Sequence, residues 1–450
     1  MNDSFDLENF IRQYYKLNRA PVTDDINFFV EGIKKILPGG EILKSKSGEE
    51  CLTWITPPSW NVKCGILQDD NGKTIIDFIN NPLHLMQYSS SFEGKIDFDE
   101  LDKHLYYSKE HPNDITFINR KQYKFRRDDS WGISIPYNIY KNLDHKSKYY
   151  VNIDVEFSNK EMLVYHLNLP GETDDTIFFA AHSCHPAQVN DGIACIALLI
   201  KLFKWIATLQ NRKNSYRLII GPEYFAATFY LKNQERIKNL RYGFFLDMMV
   251  HAGKIGFSSS FQSNTLVDFV TDNCVKNLFR DYEKYRYRGL WGNDEMFYDG
   301  PDFRIPTIGL GRTNFSNYHL SSDDPNTIDK KSVEDSWNLL KDIVLTFENT
   351  EFINKNFHPP SKTKQVGTDN KEGRIIKRNY LGPLYLSRYG LYIDPKKDRP
   401  GYRNLQNIQI LMDGKKSNNE IAKQLDIDIN FVENFSNKLI ENNLAEEIAR

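Results

Sequence analysis

The spacing of hydrophobic residues changes along the chain, and each change predicts a different kind of structure. Residues 5–37 carry apolar side chains at helical intervals, which predicts two helices that end before Pro38. Between about 51 and 160 the apolar runs become short, β-branched and aromatic, with turn residues between them, as in a β-rich domain. From 150 to about 350, strand-like and helix-like runs alternate, which predicts a mostly parallel sheet flanked by helices.

These patterns divide the chain into four parts. We expect an α/β protein whose main domain is interrupted by a β-rich insertion and followed by a small tail. The tail shows three helical patterns, with the apolar spacing of a small winged-helix core. The predicted parts are 1–50 for N-terminal helices of the main domain, 51–150 for the β-rich insertion, 151–353 for the rest of the main domain and 375–450 for the winged-helix-like tail.

Composition and charge exclude several classes of protein. The 450 residues carry a formal net charge of −2, which gives no general attraction to nucleic acids or acidic membranes. The five cysteines are widely spaced without CxxC pairs, which favours reduced thiols over a disulfide framework. The N-terminus is acidic, and no run reaches the roughly 18 apolar residues of a membrane span. We therefore expect a cytoplasmic protein without a membrane partner.

The stretch from Thr176 to Ile200 combines a buried strand, a polar loop and an apolar helix. The loop holds His182, Cys184, His185, Asn190 and Asp191 within ten positions. Ligands of α/β sheets bind at the carboxyl ends of the strands, which is where this loop would lie. Imidazole and carboxylate groups are good ligands for zinc, although two histidines near a strand end are also common as ordinary surface or core residues.

Three later segments of the same region also end in polar side chains. Glu223 and Asp247 each follow an apolar strand-like run, and Arg312 follows another, shortly before His319 and Asp323. Each of these has an ordinary explanation as a helix cap, a solvated strand end or a loop residue. Because the carboxyl ends of parallel strands meet at one edge of a sheet, their combination predicts a metal site there.

The order of these residues resembles the co-catalytic zinc aminopeptidases of the transferrin-receptor-like and glutamate-carboxypeptidase-like type. A narrower resemblance is to the bacterial aminopeptidase-like family, long described only as domains of unknown function. The matching motifs are Cys184-His-Pro186 with Asn190-Asp191, Pro222-Glu223, and Tyr318-His-Leu-Ser-Ser-Asp323. The resemblance implies a zinc-peptidase-like, that is phosphorylase/hydrolase-like, α/β fold with an inserted β-rich domain and a C-terminal winged helix.

The resemblance also implies a role for each motif residue. Asp191 would bridge two zinc ions, His185 and His319 would be terminal imidazole ligands, and Asp247 would be the opposite carboxylate. Glu223 would be the catalytic general base that takes a proton from the metal-bound water.

Three further roles follow from the same resemblance. Arg312 and Asp294 would lie near the substrate pocket. Asp323 would orient the His319 ring from the side away from the metal, as carboxylates commonly do at metal sites.

Two departures from the family pattern leave alternatives open. Zinc aminopeptidases usually carry two successive acids where this chain has Glu223-Tyr224, so one expected ligand is absent. Glu223 could therefore bind metal itself, and the site could hold one zinc ion or two. His182 competes with His185: position after the strand favours His182, whereas the Cys-His-Pro motif favours His185.

The favoured function is a zinc-dependent hydrolase of an amide or peptide bond, an aminopeptidase-like enzyme acting on a small peptide or peptide-like metabolite. One alternative is a non-catalytic binding or assembly protein on a degenerate aminopeptidase scaffold. A DNA-binding regulator is disfavoured, because residues 401–450 carry six basic and eight acidic side chains and a nucleic-acid-binding domain should be positive. The chain could also form a homo-oligomer.

Overall fold

The computed structural model describes residues 5–119, 130–359, 373–394 and 397–448. Its helices are α1 (Leu7–Tyr14), α2 (Asp24–Ile36), α3 (Phe98–Asp102), α4 (Tyr137–Tyr140), α5 (Ala194–Ile206), α6 (Phe225–Leu231), α7 (Gln234–Ile237), α8 (Leu266–Leu278), α9 (Glu295–Tyr298), α10 (Lys330–Glu348), α11 (Thr350–Asn356), α12 (Arg399–Leu411), α13 (Asn418–Leu425) and α14 (Ile429–Glu441).

The strands are β1 (Glu41–Lys46), β2 (Glu50–Cys51), β3 (Trp54–Ile55), β4 (Ser59–Gln68), β5 (Thr74–Asp77), β6 (Phe92–Asp97), β7 (Leu105–Tyr106), β8 (Ile133–Ser134), β9 (Lys148–Ser158), β10 (Glu161–Leu169), β11 (Thr176–His182), β12 (Ser215–Gly221), β13 (Leu240–Leu246), β14 (Ile255–Ser258), β15 (Tyr282–Tyr285), β16 (Thr307–Arg312), β17 (Ile375–Arg378), β18 (Asp413–Ser417) and β19 (Ala445–Glu447).

An eight-stranded sheet forms the centre of the main domain. Its strand order is β1-β10-β12-β11-β13-β16-β14-β15. The four strands β12, β11, β13 and β16 run parallel to their neighbours in that series, whereas β1, β10 and the β14/β16 pair are antiparallel. All seven residues of β11 are buried, because helices cover both faces of the sheet at its middle. The prediction of an α/β fold with a mostly parallel sheet is confirmed.

The helices cover the sheet in two separate cores. One core contains residues of α1, α2, α5, α8 and α10, and the other contains α6 and α9 together with Trp54. Ten residues of α5 are buried, which explains why its sequence is apolar nearly all round. Each fully buried leucine or phenylalanine there contributes about 1.5–3 kcal/mol, so this helix holds the polar loop before it in a fixed place.

The β-rich insertion is built on a second, antiparallel sheet of order β5-β4-β9-β6. Trp60, Tyr149 and Val151 belong to its separate hydrophobic core. Strand β9 continues to Ser158, so this sheet extends past residue 150, where the sequence placed the end of the insertion. The boundary therefore falls inside the structural unit, because a strand paired with β4 from Tyr150 to Ser158 gives no local signal of a domain end.

The tail packs directly against the main domain. It combines helices α12–α14 with the three-stranded sheet β18-β17-β19. Trp54 stacks on Tyr385 with ring centroids 4.4 Å apart and an interplanar angle of 3°. Arg378 forms a largely buried ion pair with Asp302 at 2.8 Å. The winged-helix assignment stays a prediction. Among the described residues, no helix has the length and apolar character needed to cross a membrane.

Candidate metal centre

The carboxyl ends of three adjacent strands bring polar side chains together. His182 is the last residue of β11, Glu223 follows β12 by two residues, and Asp247 follows β13 directly. Since β11 lies between β12 and β13 and all three are parallel, these side chains leave the sheet at one edge.

The turn after β11 aims Asp191 back at the end of that strand. Residues Val189–Ile193 form a π-helical turn that is interrupted at Asp191 and Gly192. Gly192 has a φ of +121°, and a Cβ atom at this position would lie 3.0 Å from the His182 ring. Only glycine fits both conditions without strain, and its small size lets the Asp191 carboxylate approach the histidine.

The first ligand set consists of His182, Asp191 and Asp247. The Nε2 atom of His182 lies 3.2 Å from Asp191 Oδ1 and 3.5 Å from Asp247 Oδ1. All three side chains are at most 4 % exposed. Asp247 is held by the Asn293 side-chain amide, which donates to its Oδ2 atom at 3.2 Å.

The second ligand set consists of His185, Asp191 and His319. One donor atom from each of them lies within 4.8 Å of the others. The Nε2 atom of His319 lies 3.0 Å from Asp191 Oδ2. Asp191 therefore faces one set with each of its two oxygens, and the sequence alternatives His182 and His185 belong to different sets.

These close approaches are not hydrogen bonds. Among the described residues, His182 Nε2, Asp191 Oδ2 and His319 Nε2 are buried atoms without a hydrogen-bond partner. Leaving such atoms unpaired costs about 1–3 kcal/mol each. Zinc bonds of about 2.0–2.2 Å place neighbouring ligand atoms of a tetrahedral site roughly 3.4 Å apart, close to the separations seen here. The donor set thus fits a divalent cation such as zinc.

The electrostatics of the cluster also suit a cation. Burial raises the pKa of Asp191, but the surrounding histidines outweigh it and hold that pKa well below its usual range. Burial lowers the pKa of His185 far below its ordinary value, which leaves a neutral imidazole, the form that binds metal. Burial also raises the pKa of Asp247, since its charge is costly there unless a positive partner is present.

Glu223 stands beside the cluster on a strained turn. The residue is 8 % exposed, and its backbone N–H donates to Cys184 Sγ at 3.2 Å. The next residue, Tyr224, has a φ of +64° and donates its backbone N–H to Asp294 Oδ1 at 2.6 Å. Burial, followed by the charge of Glu223, raises the pKa of Asp294 well above its usual range. Asp294 therefore supports the turn behind Glu223, while the prediction that it contacts substrate stays untested.

The contacts of Arg312 and Asp323 differ from those that the sequence suggested. Arg312 donates to the backbone carbonyls of Met249 and Gly253 and of a residue of α10. Its guanidinium thus holds three backbone segments together, and these contacts do not support a role in substrate binding. Asp323 accepts the backbone N–H groups of Asn190 and Asp191 at 2.9 and 3.0 Å. It therefore orients Asp191, and the expected contact with His319 is not among its hydrogen bonds in the described part of the chain.

Two residues that sequence reasoning missed complete the surroundings of the site. Arg19 is buried and donates to the carbonyls of Ser183, His185 and Gln188. Phe117 of the insertion donates its backbone N–H to the His319 carbonyl at 2.8 Å, and its ring centroid lies 5.0 Å from those of both His185 and His319. A lone arginine and a lone phenylalanine in loops far from the motifs give no sequence signal.

Comparison with known proteins places the chain in a family. The model of the family described as a domain of unknown function, DUF4910, matches residues 8–350, and the chain belongs to that family. A Clostridium acetobutylicum protein named as a candidate polysaccharide biosynthesis protein with an aminopeptidase-like domain is 25 % identical over 366 residues, covering 80 % of this chain and 82 % of the relative.

Solved structures show the same fold. A crystal structure named as a candidate peptidase from C. acetobutylicum has a TM-score of 0.72 at 22 % identity, over 98 % of this chain and 96 % of that one. The zinc aminopeptidase of Bacillus subtilis has a TM-score of 0.55 at 11 % identity, over 78 % of this chain and 97 % of that one. The aminopeptidase-like fold predicted from the motifs is therefore confirmed.

Proposed function

We propose that this protein is a zinc-dependent hydrolase of amide or peptide bonds, an aminopeptidase-like enzyme acting on a small peptide or peptide-like metabolite. The observation that carries the proposal is the cluster of His182, Asp191, Asp247 and His319. Their imidazole nitrogens and carboxylate oxygens lie close together without forming hydrogen bonds to one another. The fold shared with a zinc aminopeptidase adds support.

Different residues of this chain would bind the ion, orient its ligands and transfer the proton in such a reaction. The first ligand set would hold an ion, with Asp247 oriented by Asn293 and Asp191 oriented by Asp323. A bound zinc ion polarises a carbonyl oxygen and lowers the pKa of a water ligand to about 7. Glu223, at the neighbouring strand end, would take a proton from the attacking water and pass it to the leaving amine.

The surroundings of the cluster favour a small substrate. His182, Asp191 and Asp247 are nearly inaccessible, whereas the His319 side chain is 20 % exposed and Tyr318 is 50 % exposed. A substrate would therefore approach past Tyr318 and His319, beside the Phe117 ring. The name of the C. acetobutylicum relative adds an amide carried on a sugar to the substrates worth testing.

The test is metal-dependent turnover on a defined panel. Purified protein is stripped with a chelator, reloaded with zinc and assayed for amine release from dipeptides, N-acyl amino acids and N-acetylated sugars. We expect at least one class to be hydrolysed, with activity lost on stripping and restored by zinc.

His319→Ala should remove the activity while circular dichroism shows a folded protein. Turnover that persists unchanged after complete stripping would refute zinc dependence. Tight binding of a panel member by the zinc-loaded protein, without hydrolysis of any member, would instead favour the alternative of a non-catalytic binding protein.

A further inference from the structure

Asp191 is the one residue common to both ligand sets. Its Oδ1 atom faces His182 in the first set, and its Oδ2 atom faces His319 at 3.0 Å in the second. Within the described residues, both Asp191 Oδ2 and His319 Nε2 are buried without a hydrogen-bond partner. A cation held by the first set alone would leave these two atoms unsatisfied.

His185 completes the second set. Its ring centroid lies 5.4 Å from that of His319 and 4.4 Å from that of His182, and its donor atom lies within 4.8 Å of those of Asp191 and His319. Buried Arg19 binds the carbonyl of His185 itself, and the Phe117 ring meets the imidazole edge-on. The imidazole is thus fixed in place before any ion arrives, as a good ligand should be.

Tyr224, which follows Glu223 on the adjacent strand end, does not supply a ligand. Its hydroxyl donates to the Gly292 carbonyl at 3.2 Å. Its ring packs against Trp54 and Phe297, with centroid distances of 5.5 and 5.4 Å. The second set therefore depends on the loop after β11 for its third donor.

We propose that the centre takes two divalent cations, and that His185, Asp191 and His319 hold the second one, with His185 in the place that an acid at position 224 would fill. The inference rests on the proposed metal-dependent function. It adds that the centre of this chain holds two ions, with an imidazole ligand where a carboxylate ligand would otherwise stand. A centre built in this way has one negative charge fewer around the same two cations.

A rival ligand lies beside His185. Cys184 forms a third possible group with His182 and His185, and its Sγ atom lies 3.7 Å from His185 Nδ1. The Cys184 sulfur already accepts the backbone N–H of Glu223, which argues for a supporting role. A thiolate ligand would give a strong sulfur-to-metal absorption band with cobalt(II), so the two arrangements can be told apart by spectroscopy.

The test counts ions per chain. Metal-free full-length protein is titrated with zinc or cobalt(II), and bound metal is measured by elemental analysis after equilibrium dialysis. We expect two ions in the wild type and one in His185→Ala, with affinity at the second site reduced by more than about 100-fold, beyond the effect of losing a supporting contact. His185→Gln repeats the measurement if the alanine variant does not fold.

His251→Ala is the matched control, because His251 is also a buried histidine but belongs to neither set, and it should keep two ions. Cys184→Ser should also bind two ions per chain, and the cobalt(II)-loaded wild type should show no thiolate-to-metal absorption band. Two ions retained by His185→Ala, or a thiolate band lost in Cys184→Ser, would overturn the assignment. A wild type that binds one ion and hydrolyses substrate would refute the second site alone, whereas no metal at all would refute the proposed function as well.

Discussion

The Asp323 carboxylate accepts the backbone N–H of Asp191 at 3.0 Å, so one acid fixes the position of another. Its second oxygen accepts the N–H of Asn190 at 2.9 Å. The residue is fully buried and lies in the loop that also carries His319. Two loops that are distant in sequence are thereby joined behind the candidate metal centre.

Asp323→Asn should disturb this junction. An amide has one acceptor oxygen, so one backbone N–H would lose its partner, at a cost of about 1–3 kcal/mol in the free energy of unfolding. Zinc affinity should fall by about 10–100-fold, because Asp191 would be less well oriented. Urea denaturation and zinc titration measure the two effects. Asp335→Asn, at a helix surface ion pair, is the control and should change neither.

Gly192→Ala tests the turn that aims Asp191 at His182. The new methyl group would meet the His182 ring in a backbone conformation that alanine rarely adopts. We expect a loss of stability of more than about 2 kcal/mol together with weaker metal binding. Gly48→Ala separates the causes, because Gly48 has a φ of +84° but open space around it. It should cost about 1 kcal/mol with metal affinity unchanged.

Arg19→Lys tests the support of the loop that carries His185. Arg19 donates to five backbone carbonyls, because those of Tyr14 and Tyr15 add to the three in the polar loop. Lysine has three donors where arginine has five, so at least two of these carbonyls would lose their partner. The free energy of unfolding should fall by about 3 kcal/mol. Urea denaturation of the metal-free protein measures it. Arg12→Lys, on the exposed face of α1, is the control, and equal stability of the two variants would contradict the proposed support.

Glu223→Gln tests the proposed general base. The substitution keeps the shape of the side chain and removes its ability to take a proton. Turnover should fall by roughly 10²–10⁴-fold while the bound zinc is retained. Loss of zinc in the variant would identify Glu223 as a ligand, and unchanged turnover would exclude both roles. Glu235→Gln, at an exposed position of α7, controls for the change in charge.

Asp299 should make the stability of the protein depend on pH. Burial raises the pKa of Asp299 to about 7 from an ordinary value of 3.8. Between these two pKa values the carboxyl group keeps its proton in the folded protein but loses it in the unfolded chain. The free energy of unfolding therefore falls as the pH rises through this range. We expect this group to lower the free energy of unfolding by up to about 4 kcal/mol between pH 4 and 7.

Comparison with Asp299→Asn isolates this contribution, because the amide does not titrate. Urea denaturation in chelator at several pH values should show a steeper fall for the wild type than for the variant. Parallel pH profiles for the two proteins would show that Asp299 is already ionised across the range.

The sequence predicts the fold and the neighbourhood of the site, but not the ligand geometry. Alternating strands and helices indicate a parallel sheet, and parallel strands bring His182 and Asp247 to one edge whatever the loops do. The division of His182 and His185 between two sets depends on the positive φ of Gly192, which no spacing rule reveals. The contacts of Arg312 depend on packing between elements far apart in sequence.

The hydrogen bond from the Phe117 backbone N–H to the His319 carbonyl ties the insertion to the candidate metal centre. The insertion also forms an isolated β-bridge, Thr116 to Leu320, with the loop that carries His319. Excision of the insertion would therefore remove these contacts from the loop. We do not expect the main domain to keep the site intact on its own. We expect an exchange of insertions between relatives to change ion retention and substrate choice together, because Phe117 of the insertion contacts both candidate ligands His185 and His319 and borders the proposed path of the substrate.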